Sequence, residues 1–255
     1  MDVKEQIQRD NNKAGVKFIL ILVIAALLGG IIGFCMLFFQ GSGIEEIAGA
    51  IQDSLIQIAP WVSLVVTVVL FAAAHGLYRQ ARKMYDGWNE EDDEEMERIE
   101  KKLTISLLLI SLITIQAFFF FAAGVLGLAE LVQKSGLTGI FCNLLAMIVA
   151  IVCTGKGQKE VVDFEREMNP EKQGSVYDID FAKKWENSCD EAEKMAIYKA
   201  SYTAYKATQR CCMVLWIICA IGGMLWNIGL LPVTIVTIIW ATQTISYCYS
   251  CMKNA

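Results

Sequence analysis

"YTAYKATQRCCMVLWIICAIGGML", residues 202–225, opens with the tyrosines, lysines and arginine of a water-exposed helix and then turns apolar. After Arg210 no charged residue follows until Lys253, and neither proline nor glycine marks the joint. Nothing at that joint breaks an α-helix, and the apolar part is about as long as a bilayer is thick. The stretch therefore reads as one helix passing from water into lipid, which makes the chain an all-α polytopic membrane protein.

Composition agrees. The 255 residues are 55% hydrophobic and 19% charged, with mean hydropathy +0.45, too apolar for an ordinary soluble domain of this length. Charge-free runs cover Phe18–Ile44, Ser54–Tyr78, Leu103–Ala129, Ser135–Gly155 and Cys211–Met252. A hydrocarbon core about 30 Å thick needs roughly 20 helical residues. The first four runs hold one span each, and the last divides at "GLLPV", where Gly229 and Pro232 suit a tight turn. Six transmembrane helices are expected, near 18–39, 57–78, 103–126, 138–155, 211–229 and 232–252, arranged as three hairpins. Barrel strands would be shorter and would alternate. The first span is longer than a signal-peptide core and lacks an A-x-A-like cleavage site, so it reads as an anchor.

Charge sets the orientation. Lys and Arg number 4 before span 1, 0 in the next connection, then 6, 1, 10 and, after span 6, 1. Alternate segments thus hold 21 of the 22, and segments rich in Lys and Arg stay cytoplasmic. Both termini are expected inside a plasma membrane. Residues 1–255 form a single membrane domain with two cytoplasmic connectors, 79–102 and 156–210, each extending a helix before spans 3 and 5.

The second connector contains a flexible part, "NPEKQGSVYDID", and then "WENSCDEAEKMAIYKASYTAYKATQR", which reads as helix. Ser188 and Glu191 make a capping box at its start. Met195, Tyr198, Tyr202 and Tyr205 recur at spacings of 3, 4 and 3, so they share one face. Such a stripe is more often a packing seam than a ligand site, and it is the candidate partner-docking face. Trp88 precedes Asp93-Glu94 by the interval at which Trp185 precedes Asp190-Glu191, a weak sign of a repeated helix-plus-hairpin unit. The acids of 90–97 suit the positive end of a helix dipole better than a cation site.

Catalytic motifs are missing. One histidine cannot build an H-E-x-x-H site, "CTGKGQKE" lacks P-loop spacing, and no G-x-S-x-G elbow occurs. A net charge of −5 with no basic-aromatic patch away from the membrane flanks gives no support to nucleic-acid binding. No Asp, Glu, Lys or Arg lies deep in a span, which disfavours ion-coupled transport. The neutral polar residues His75, Gln116, Asn143, Asn227 and Gln243 remain, to be read as interhelical hydrogen bonds or as the lining of a solute path. Gly29-x-x-x-Gly33, Ala72-x-x-x-Gly76 and Gly222-Gly223 allow close helix contact, within the bundle or in a homo-oligomer. If the last hairpin turns near 230–231, facing residues have numbers adding to about 461. Cys211 and Cys212 then meet Cys248 and Cys251, a weak candidate for zinc because adjacent cysteines diverge by about 100° on a helix.

At "YDIDFAKKWENSCDEAEKMAIYKASYTAYKATQRCCMVLWI" the sequence resembles an uncharacterised bacterial family of six-span integral membrane proteins, the domain of unknown function 3169 family. That resemblance implies localisation and fold but no catalytic residues or cofactor. The expectation is a non-enzymatic accessory or scaffold, such as an exporter component, that docks membrane or cytoplasmic partners. The alternative is a small permease for a neutral or hydrophobic solute.

Overall fold

The computed structural model describes residues 44–89, 93–226 and 229–253, with isolated helical positions between 19 and 30. Most of span 18–39 and Asn227 lie outside the described residues. The runs Ser54–Tyr78 and Ser135–Gly155 each lie within one helix that outruns them, whereas Leu103–Ala129 is interrupted at Gly127 and Cys211–Met252 is divided between two helices. The helices are α1 (Ile44–Asp86), α2 (Asp93–Leu126), α3 (Leu128–Met168), α4 (Phe181–Asn187), α5 (Glu191–Trp226) and α6 (Leu231–Lys253), and no strand occurs among the described residues.

Helix α5 runs unbroken for 36 residues from the acidic Glu191 through Arg210 to Trp226, the continuity expected of residues 202–225. Its start differs from expectation. Helix α4 ends at Asn187, and the box that opens α5 is Asp190 with Glu193. Glu193 N–H donates to Asp190 Oδ1 at 2.7 Å, and Asp190 N–H donates to Glu193 Oε2 at 2.9 Å. Ser188 instead closes α4, its hydroxyl donating to the Trp185 carbonyl at 2.8 Å.

Four stretches, Gly49–Asp86, Asp93–Leu126, Ser135–Met168 and Leu231–Lys253, are long and apolar enough to cross a membrane. The most apolar window of α2 has mean hydropathy 2.3, yet only 22% of it is buried, so a protein core does not account for its composition. Ile115 and Phe118 on α2, Val65 and Val69 on α1, and Phe141 and Val152 on α3 all stand more than half exposed. An apolar surface on that scale belongs in hydrocarbon, and these helices make the chain a membrane protein. Hydroxyls are satisfied locally, as lipid demands: Thr234, Thr237 and Thr244 each donate to the carbonyl four residues back. Within α3, Gly136 takes φ 60° and ψ −155°, which only glycine tolerates, and the helix kinks there ahead of its apolar run.

The chain divides into two compact units, Gly49–Tyr202 and a second made of Met1–Ala48 with Thr203–Ala255. In Gly49–Tyr202, the charged ends of α1, α2 and α3 gather at one end of the bundle. Their core there is Ala74, Ala81, Ile99, Leu103, Val161 and Phe164. Phe164, 1% exposed, meets the rings of Tyr78 and Tyr85 edge-on at 5.9 and 5.4 Å, and the Arg82 guanidinium lies 4.8 Å above it. Arg82 also forks onto both carboxylate oxygens of Glu167, while Ser106 Oγ donates to the Ala74 carbonyl at 3.0 Å. Deeper in the apolar zone, Ile113, Ala117 and Ala150 continue the seam between α2 and α3.

In the second unit α5 and α6 lie antiparallel. Tyr205 stacks on Tyr247 at 4.6 Å, Gln209 Nε2 donates to Thr244 Oγ1 at 3.0 Å, and Trp240 Nε1 donates to Gln209 Oε1 at 2.5 Å. The carbonyl of Gly229 (φ 72°) lies 3.6 Å from where a Cβ on Gly223 would stand. The pairs 205/247, 209/244 and 223/229 all have numbers adding to 452 or 453, not about 461. Gly229 already lies alongside the last turns of α5, so α6 starts about two and a half turns lower than a hairpin tip at 230–231 would place it. Cys212 is then level with residues near 240, and Cys248 and Cys251 lie beyond it. Accordingly, no three of His, Cys, Asp and Glu form a metal-holding group among the described residues.

This register is open to cross-linking. In an otherwise cysteine-free background, Tyr205→Cys with Tyr247→Cys should form an intramolecular disulfide under mild oxidation. A variant keeping only Cys212 and Cys248 should stay reduced; the opposite pattern would restore the 461 pairing.

Candidate functional site

Of the polar residues picked out along the spans, His75, Gln116 and Asn143 sit at separate junctions. His75 is flanked on its own helix by the rings of Phe71 and Tyr78, at 6.1 and 5.9 Å, and its Nδ1 lies 3.0 Å from Glu160 Oε2 on α3. Lys156 Nζ approaches the other oxygen of Glu160 at 3.8 Å. Gln116 ties α2 to α1: its Nε2 donates to Thr67 Oγ1 at 2.8 Å and to the Ile113 carbonyl at 3.1 Å. Asn143 ties α3 to α2, donating to the Phe121 carbonyl at 3.3 Å. Gln243 is half-buried on α6, and its Oε1, like that of Gln116, has no hydrogen-bond partner among the described residues. No one of these four bonds another.

The tyrosine and methionine stripe divides. Met195, Tyr198 and Tyr202 are 66%, 52% and 48% exposed, whereas Tyr205 is half-buried against Tyr247. The Tyr198 hydroxyl donates to Glu186 Oε1 at 2.9 Å, which fixes its ring beside α4.

A cleft that sequence reasoning missed lies at the polar end of Gly49–Tyr202. It encloses about 550 Å³ between α2, α3, the 172–176 turn, α4 and the start of α5. The segment expected to be flexible is instead pinned there by a hydrogen-bonded turn. Asp178 N–H donates to the Ser175 carbonyl at 2.8 Å, and Lys184 Nζ pairs with Asp178 Oδ2 at 2.8 Å. That turn places Lys172, whose side chain is 4% exposed, against Glu193 of the α5 capping box. Its ammonium also donates to Cys189 Sγ at 3.5 Å and lies 6.0 Å from the Trp185 ring centroid.

Burial acts to lower the Lys172 pKa, but the hydrogen bond and charge of Glu193 outweigh it and raise it above the ordinary value. For Glu193, burial pulls upward and is outweighed by the Lys172 bond and the Asp190 backbone bond, which hold the carboxyl below its usual range. The pair stays ionised at neutral pH. Across the cleft Glu165 is raised, first by burial and then by Glu100, with Lys172 only partly offsetting them. Among the described residues no donor bonds the Glu165 carboxylate. A smaller hollow of about 320 Å³, walled by Phe118, Met147 and Ile151, backs onto the cleft, since Gln158 and Val176 line both.

The tightest junction in the spans is Gly124 against Asn143: a Cβ at 124 would lie 2.4 Å from Asn143 Nδ2. Gly124→Ala should therefore destabilise the protein by about 1–3 kcal/mol. Asn143→Ala in that background should recover most of the loss. Denaturant unfolding in detergent would measure it, and additive effects of the two substitutions would contradict the contact.

Sequence comparison gives a family and no further relative. No curated protein and no solved structure matches the chain. The family described as "Protein of unknown function (DUF3169)" matches residues 13–251, nearly the whole length. Helices apolar enough to cross a membrane, and the stretch around residues 177–217 that carried the resemblance, thus fall within one match, and the chain belongs to the DUF3169 family.

Proposed function

We propose that this protein is a six-span component of a bacterial plasma membrane, with both termini and the polar helix ends in the cytoplasm. It acts as a non-enzymatic accessory or scaffold. The six-span count is supported by the charge-free runs, and the orientation by the 21 of 22 Lys and Arg on alternate segments. The 20 residues of α5 before its apolar run, at 1.5 Å each, give about 30 Å of polar helix.

The observation that carries the docking role is the exposure of Met195, Tyr198 and Tyr202 together on that helix. Lys199, Lys206 and Arg210 follow at spacings of 7 and 4, a basic flank beside the aromatic stripe. The matching occupant is an amphipathic helix of a partner protein, apolar along its seam and acidic at its edge. Tyr205 belongs to the α5–α6 contact and is left out of this face. The contacts of His75, Gln116 and Asn143 favour helix packing over a solute path, so the permease reading has less support.

A photo-cross-linking side chain at position 198 or 202 should capture, in intact cells, a distinct protein through such a helix. Lys199→Glu with Lys206→Glu should cut that capture at least tenfold while membrane insertion is unchanged. Capture of a second copy of this chain only, or capture indifferent to the charge reversal, would contradict the docking face.

A further inference from the structure

The cleft at the polar end combines features that the docking role does not use. Its floor carries a carboxylate, Glu165, that is half-buried and bonded by no donor among the described residues. Its one cation, Lys172, is already taken up by Glu193 and Cys189. The lining charges, one lysine against Glu165 and Glu193, leave a net negative site. The walls are aromatic and apolar, with Phe181 and Trp185 on α4 and Leu107 and Ile197 opposite. A metal ion would find no cluster of three ligands here. An organic cation with an apolar body would find a counter-charge, ring faces for cation–π contact and about 550 Å³ of space.

We infer that this cleft is a binding site for a lipophilic organic monocation, with Glu165 as its counter-ion and Trp185 as its aromatic wall. Binding carries a pH signature. Burial and then Glu100 from α2 raise the Glu165 pKa, with Glu193 from α5 adding to them and Lys172 from the turn offsetting them in part. A bound cation favours the ionised carboxylate, so affinity should be full above that raised pKa and fall as the pH drops through it.

The test uses the full-length protein in lipid nanodiscs, with tetraphenylphosphonium and its anionic counterpart of the same shape, tetraphenylborate, as probes. Equilibrium dialysis against protein-free nanodiscs removes simple partitioning. Tetraphenylphosphonium should bind saturably at one site per chain, with affinity at least tenfold lower in Glu165→Gln. Binding should be lost in Ala196→Trp, which fills the cleft from an exposed helix position that tolerates bulk. Tetraphenylborate should show no saturable component. The inference is overturned if cation binding is absent, if it is equal in wild type and both variants, or if the anion binds as well as the cation.

Discussion

A helix in hydrocarbon must satisfy its own backbone, and everything else in this protein follows from helices long enough to do so and to continue into water. Helix α2 shows the consequence within one element. Its first ten residues, Asp93–Lys102, are mostly charged, and from Leu103 onward no charge remains. One rod is thus soluble at one end and lipid-compatible at the other. Because α1, α2 and α3 each carry charge at the same end, those ends meet, and the core around Phe164 forms where aqueous burial still rewards it.

That arrangement divides the labour of cohesion. At the polar end apolar burial, the Arg82–Glu167 fork and the aromatic cluster hold three helices together. Within the apolar zone no hydrophobic drive separates helix from lipid, and contact rests on small residues and single hydrogen bonds. Ala117 and Ala150 meet there, Gly124 admits Asn143, and Gln116 reaches Thr67. Gln116 and Asn143 thus bond neighbouring helices within the apolar zone, while Lys172, Glu165 and Glu193 line a cleft at the polar end.

Periodicity and charge made the helices legible, including the unbroken passage of α5 past Arg210, because both properties are local. The register of α5 against α6 was not legible. It depends on how Gly229 folds back beside Gly223, a geometry that residue counting cannot supply. The capping box was misplaced by two residues because Ser188-x-x-Glu191 and Asp190-x-x-Glu193 both fit the pattern, and only packing chooses between them. Lys172 gave no signal at all: one lysine in a turn looks solvated until Glu193, 21 residues on, is brought to it. The family match agrees with the whole-chain reading and supplies no activity.

The central claim is that the exposed apolar faces of α1, α2 and α3 lie against lipid. Nitroxide labels on α2 at positions 108, 115 and 118 in liposomes, compared with one at position 94, test it most directly through collision rates with oxygen and a water-soluble nickel chelate. The account predicts oxygen-dominated collisions at 115 and 118 and chelate-dominated collisions at 94. Chelate access at 115 equal to that at 94 would contradict it.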